Sequence, residues 1–216
     1  MDGAWWDKAF AATGPTVVGW SVWKTPAEFR RGTETLMETL LPRFDRFIWK
    51  RPDVLIDFGC GWGRLAPYWT RRTNAYVGID VSSDMILHGR ALYHEEHDIT
   101  FYTAEEFLPL DGIDHREGVG IAHQYKADVA VTVTVLQHCV GDLERKQALK
   151  RLTFCNPVQL FLFEQSDEHK TGLHCRKVTL DELRRELPGY EWCKDYSEAG
   201  CDGREHSIFL GERPTP

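Results

Sequence analysis

The chain has 216 residues, 42% hydrophobic and 27% charged, which suffices for one compact domain with its own core and is not the composition of a disordered polymer. Its 26 basic and 33 acidic residues give a formal charge of −7, which argues against a life spent on nucleic-acid phosphates or an anionic membrane surface. No apolar run approaches the ~18 residues of a membrane span, and the start, MDGAWWDKAF, lacks the basic-then-apolar pattern of a secretory signal, so a cytoplasmic protein is expected.

The first 52 residues carry 8 basic and 6 acidic side chains and five of the eight tryptophans (Trp5, Trp6, Trp20, Trp23, Trp49). The composition changes near Arg51-Pro52, which divides the chain into a helical extension, 1–52, and a main domain, 53–216. In the extension, Thr25-Pro26 followed by Glu28 is a helix start. Phe29, Leu36, Leu40 and Leu41 continue it as an apolar stripe. Pro42 is expected to interrupt that helix, with a short second one through Phe44, Phe47 and Ile48.

From Asp53 strand and helix alternate. Strands are expected at 54–58, 75–80, 98–103, 128–136 and 158–165, and helices at 64–72, 83–94 and 142–153. The last of these is read from Leu143, Leu149 and Leu152. Residues 105–108 form a turn or short helix, and 111–126, with three glycines, a loop. Thr179-x-x-Glu182 opens a final helix as a capping box. Strands at 190–197 and 204–212 close the chain around a Cys-Asp-Gly turn. This pattern predicts an α/β fold: a Rossmann-like, doubly wound sheet, mostly parallel, with an antiparallel C-terminal strand pair. The six cysteines are scattered, with no C-x-x-C pair, so reduced thiols and no metal site are expected. The sequence leaves the oligomeric state open.

The most informative segment is Val54-Leu-Ile-Asp-Phe-Gly-Cys-Gly-Trp-Gly-Arg64. A buried strand runs into Gly59, Gly61 and Gly63, and a helix follows. Glycines let the backbone turn tightly and approach a ligand. In an open parallel sheet that ligand lies at the carboxyl ends of the strands. A dinucleotide fingerprint wants G-x-G-x-x-G. Here the spacing is G-x-G-x-G, with Arg64 where the third glycine would stand, which disfavours a nicotinamide oxidoreductase. Asp57, just before the first glycine, favours a small cationic cofactor. Asp80 ends the second strand and can accept two hydrogen bonds from a ribose diol.

DFGCGWG together with GIDVSSDMI resembles the class I S-adenosylmethionine-dependent methyltransferases, over about residues 53–211. The resemblance implies S-adenosyl-L-methionine as cofactor. It implies Asp57, Gly59, Gly61 and Gly63 around its methionine part, Asp80 on the ribose, and Val81 and Met85 against the adenine. The family's third strand often ends in an acid followed by alanine. Here Thr103 precedes Ala104, and Glu105 becomes the candidate for the adenine edge.

Methyl transfer chiefly needs alignment, and a base only where the acceptor must lose a proton. The fourth strand ends Thr132-Val-Thr-Val-Leu-Gln-His138. Thr134 and Val135 would line the cofactor. Gln137 and His138 are the polar groups nearest the acceptor, and a histidine can take a proton near neutral pH. His138 could equally pack or cap the next helix. The Asn/Asp-Pro-Pro-aromatic signature of base-modifying amino-methyltransferases is absent, which counts against a DNA amine. A basic patch (Arg43, Arg46, Lys50, Arg51) reads either as a solvated helix face or as an RNA contact. His174 and Arg176, in a polar loop at the same end of the sheet, are candidates to orient the substrate, and Trp5, Trp6, Trp20 and Trp23 to stack on it. The tryptophans read equally as a lid or as plugs that dock the extension. The expected activity is transfer to an oxygen or nitrogen of a small molecule. The alternatives are an RNA or protein methyltransferase and a non-catalytic partner module of the same fold.

Overall fold

The computed structural model describes residues 3–15, 25–48, 50–108, 121–166, 176–199 and 205–214. In chain order the elements are α1 (Gly3–Thr13), α2 (Pro26–Phe47), β1 (Val54–Phe58), α3 (Ala66–Trp69), β2 (Ala75–Asp80), α4 (Ser83–Leu92), β3 (Ile99–Thr103), α5 (Ala104–Phe107), β4 (Val129–Val133), α6 (Asp142–Phe154), β5 (Gln159–Gln165), α7 (Leu180–Glu186), β6 (Glu191–Ala199) and β7 (Glu205–Glu212).

The strands form one sheet of order β3-β2-β1-β4-β5-β7-β6. β1 to β5 run parallel, and β7 lies antiparallel between β5 and β6. The winding direction reverses between β1 and β4, where such sheets open a crevice for ligands. Asp128 aligns the two starts there: its Oδ2 accepts the N–H groups of Asp53 at 2.7 Å and Val54 at 3.2 Å.

Both faces of the sheet are covered. On one, Ile56, Ile79, Leu160 and Leu162 pack against Phe107 of α5, Leu149 and Leu152 of α6 and Leu183 of α7. On the other, Leu55, Val131 and Phe161 pack against Met37, Leu40 and Phe44 of α2, Trp69 of α3 and Ile86 of α4. The Phe44 ring lies 5.0 Å from Trp69 and 5.4 Å from Phe161, centroid to centroid.

Several elements depart from the sequence reading. α2 begins as expected, with the reciprocal Thr25–Glu28 capping box, but it continues through Pro42 as a single helix. Its buried stripe, Thr33, Met37, Leu40 and Phe44, crosses the proline and holds both halves on the sheet. The Arg43 guanidinium donates to the Thr39 carbonyl at 2.7 Å in the turn that the ring disturbs. α1 has no counterpart in the sequence reading. The helix expected over 64–72 is a single turn. β4 stops at Val133, because Thr134 turns to φ 59° and Leu136–His138 form a 3₁₀ turn. Leu143, taken as core, is 70% exposed; α6 buries Arg145, Ala148, Leu149 and Leu152 instead. Thr179 caps α7 by accepting the Glu182 N–H at 3.1 Å. The Glu182 carboxylate reaches Arg145 and Arg176 rather than folding back. The Cys-Asp-Gly turn lies outside the described residues. Among those described, no helix is long and apolar enough to cross a membrane, and no three His, Cys, Asp or Glu side chains converge as a metal site.

Candidate functional site

β1 delivers the chain into a turn that three glycines make possible. Gly59, Gly61 and Gly63 have φ of 81°, 59° and 81°, a region that side chains with a Cβ rarely adopt. The turn is strapped to the end of β2. The N–H groups of Gly59 and Cys60 donate to the Ile79 carbonyl at 2.7 and 3.0 Å, and that of Gly61 donates to Asp80 Oδ2 at 2.8 Å. A Cβ on Gly59 would stand 2.3 Å from a Val135 methyl, so the turn presses directly on the end of β4. Gly63 points the other way, and a Cβ there would stand 2.4 Å from the Phe101 ring. Its glycine is required by packing, and Gly63 does not line the cavity.

At the carboxyl ends of β1, β2 and β4 lies a cavity of about 520 Å³. From the sequence-predicted set it collects Asp57, Gly59, Gly61, Asp80, Val81 and Met85. It also collects Ala104, Glu105, Thr134 and His138. α1 forms a further wall. Gly3 sits so close to the Val81 carbonyl that a Cβ would stand 2.3 Å from that oxygen, and Trp6 faces the cavity. Asp7 anchors the helix at the start of α4. Its Oδ1 accepts from the Ser82 hydroxyl at 2.6 Å and the Asp84 N–H at 3.2 Å, and its Oδ2 from the Ser83 hydroxyl at 3.2 Å. The Trp6 ring meets His138 edge-on, centroids 5.5 Å apart.

Two carboxylates dominate the electrostatics. Asp57 is 2% exposed, and burial pushes its carboxyl up to about 7; the Tyr76 hydroxyl, donating at 2.9 Å, and the Arg64 charge hold it from rising further. Burial also raises Asp80, against N–H donation from Ser82 at 2.9 Å and from Gly61. A carboxylate offers roughly four acceptor positions, so Asp80 keeps about two for a ligand. A buried acid that ionises when a cation approaches, a second acid with spare acceptor capacity and an apolar patch at Val81 and Met85 form a donor set that fits an aminoacyl-ribonucleoside.

Other predicted residues stand apart from the cavity. Gln137 is buried behind His138. Its Oε1 accepts the Gln165 N–H at 3.2 Å, so its amide nitrogen is the group that faces His138 Nε2 at 3.4 Å. Arg176 pairs with Asp142 at 2.6 Å and with Glu182 at 3.4 Å and does not reach the cavity. Trp20, Trp23 and His174 lie outside the described residues. Thr103, at the position usual for an acid, caps α5, while Glu105 lies 3.6 Å from Arg151. Trp6, one of the front tryptophans read as a lid or a plug, lines the cavity, whereas the sequence reading missed the α6 face of Glu144, Gln147, Ala148 and Arg151. Those four positions have the i, i+3, i+4, i+7 spacing of one helix stripe, a signal hidden by the stripe's polarity.

The family model described as "Methyltransferase domain" matches residues 56–155, a span that holds the glycine turn, Asp80 and the end of β4. Over that span the chain carries a methyltransferase domain. No curated protein matches the chain. Among solved structures it is similar to magnesium protoporphyrin IX methyltransferase from Synechocystis PCC 6803 with bound S-adenosylhomocysteine, at a TM-score of 0.65 and 16% identity, over 99% of this chain and 100% of that one. It is also similar to the N-methyltransferase NodS from Bradyrhizobium japonicum WM9, at 0.61 and 13%, over 99% and 98%. The small RNA methyltransferase HEN1 matches at 0.57 and 15%, over 83% of this chain and 25% of that one.

Proposed function

We propose that the protein is a class I S-adenosylmethionine-dependent methyltransferase that transfers a methyl group to an oxygen or nitrogen of a small-molecule acceptor. The observation that carries this reading is the roofed cavity. α1 lies across the cofactor crevice, fixed by Asp7, and its Trp6 closes over His138. A cavity of about 520 Å³ is in the range of small-ligand sites rather than of a polymer groove. The basic patch adds support. Arg43 bonds to Thr39, Arg46 to Asp195, and Arg51 to the Thr70 and Thr73 carbonyls, so three of its four cations are engaged within the fold. Two neighbours that align over nearly all of this chain are named for a porphyrin and as an N-methyltransferase; the RNA methyltransferase aligns over a quarter of its own length.

In this reading Asp57, with Gly59 and Gly61, holds the cationic amino acid end of the cofactor, and Asp80 the ribose hydroxyls. Val81, Met85, Ala104 and Glu105 enclose the adenine, and Thr134 lies along the centre. S-adenosylmethionine supplies a methyl group whose bond to sulfur breaks as the new bond to the acceptor forms. His138 takes the proton that the acceptor loses, and Gln137 orients its ring. α1 acts as the lid, and the cytoplasm, suited to its free thiols, is the compartment.

A metabolite library incubated with S-adenosylmethionine and the protein tests the reading, with products followed by mass spectrometry. A methylated small hydroxy or amino compound is expected. His138→Ala should slow its formation by about a hundredfold, the usual scale for a general base, without changing cofactor affinity. Methylation of added RNA or protein and of no metabolite would overturn the proposal.

A further inference from the structure

Glu164, at the end of β5, is fully buried, and every group around its carboxylate is a donor. The Thr132 hydroxyl donates to Oε1 at 2.6 Å, the Val135 N–H to Oε1 at 3.1 Å, and the Gln137 N–H to Oε2 at 3.3 Å. These donors belong to the segment that leaves β4 for the cavity. The ladder with β5 ends where the Thr134 N–H donates to the Phe163 carbonyl at 2.7 Å. Thr134 is a β-branched residue at φ 59°, a conformation that persists only where the surroundings enforce it. The carbonyl side of the same segment is held by cationic and backbone donors. Arg145 Nε donates to the Cys139 carbonyl at 3.0 Å, and the Arg176 N–H to the Gln137 carbonyl at 2.8 Å.

We infer that Glu164 is a positioning residue: its carboxylate gathers the hydroxyl and N–H groups of Thr132–Gln137, fixes the strained turn and so sets Thr134, Val135 and His138 against the cofactor cavity. The inference rests on the methyltransferase reading of that cavity. Gln137 extends the chain of command, since its backbone is held by Glu164 and its side chain faces His138 Nε2. A carboxylate is required because it only accepts. An amide in its place turns an N–H₂ group toward another donor and leaves one of them without a partner.

Glu164→Gln keeps the size of the side chain and tests this. Amide hydrogen exchange at residues 135–137 should rise at least about tenfold, while β1 and β2 stay protected as in the wild type. The His138 ring-proton signal should move in the NMR spectrum and that of His88, on α4, should not. Affinity for S-adenosylhomocysteine should fall by about three- to tenfold, because Thr134 and Val135 wall the cavity. Thr132→Ser, which keeps the hydroxyl, should behave as wild type. Unchanged exchange with an unmoved His138 signal would overturn the inference. If Glu164→Gln does not fold, Thr132→Val decides: faster exchange confined to the turn supports the inference, and wild-type exchange overturns it. Failure of the wild type to bind S-adenosylhomocysteine would count against the cofactor reading instead, and the exchange comparison would still report on the turn.

Discussion

The buried Asp57 makes cofactor affinity depend on pH with a predictable sign. With its carboxyl pushed up to about 7 by burial, the ligand-free protein is mostly protonated there at pH 6 and mostly ionised at pH 8. The cationic amino acid end of S-adenosylhomocysteine favours the carboxylate. Only the ionised fraction is then competent, about one tenth at pH 6 and about nine tenths at pH 8, so the apparent Kd should fall about tenfold between them. Titration calorimetry across that range measures the affinity. Repeating it at pH 7 in buffers of different ionisation enthalpy should show about half a proton released per ligand bound. Asp57→Asn should bind more weakly and remove the pH dependence. A flat wild-type affinity from pH 6 to 8, or proton uptake on binding, would refute the assignment of Asp57 to the cationic end.

The same group affects stability without ligand. Between about pH 4 and 7 the folded protein retains a proton on Asp57 that the unfolded chain has released, so stability should fall as pH rises through that window. Asp57→Asn should lessen the decline, and parallel melting curves for the two proteins would contradict it. Gly63→Ala forces a Cβ to 2.4 Å from Phe101 at φ 81°. It should cost about 2 kcal/mol and lower the thermal midpoint by about 4–8 °C, whereas an unchanged midpoint would show that the turn relaxes freely. Asp7→Ala removes three acceptor contacts at the start of α4. It should cost about 1 kcal/mol and speed proteolysis within α1, and wild-type cleavage would mean that another contact holds the helix.

The sheet was legible because its strands are short apolar runs bounded by glycines and acids, and such runs carry their own boundaries. The glycine turn was legible for a related reason. The positive φ of Gly59 and Gly61 is a requirement of local backbone geometry, and each is written in one residue. Less visible was anything decided across the fold. Pro42 is tolerated because Leu40 and Phe44 are held by the sheet. α1 lacks a strong start signal, and its place depends on Asp7 finding the start of α4. β4 ends early because Glu164, from the neighbouring strand, gathers the amides of the following turn. Gln137 reads as an active-site residue by position, yet the same turn sends its side chain inward. Arg176 reads as a cation for the substrate, yet Asp142 and Glu182, in the first turns of α6 and α7, engage it.

Calorimetry with S-adenosylhomocysteine on the wild type and on Asp80→Ala bears most directly on the central assignment, the cavity at the ends of β1, β2 and β4 as the cofactor site. The wild type should bind, and Asp80→Ala should bind at least about tenfold more weakly, the scale of one charge-assisted hydrogen bond. No binding by the wild type up to millimolar ligand, or equal affinity in the two proteins, would contradict it.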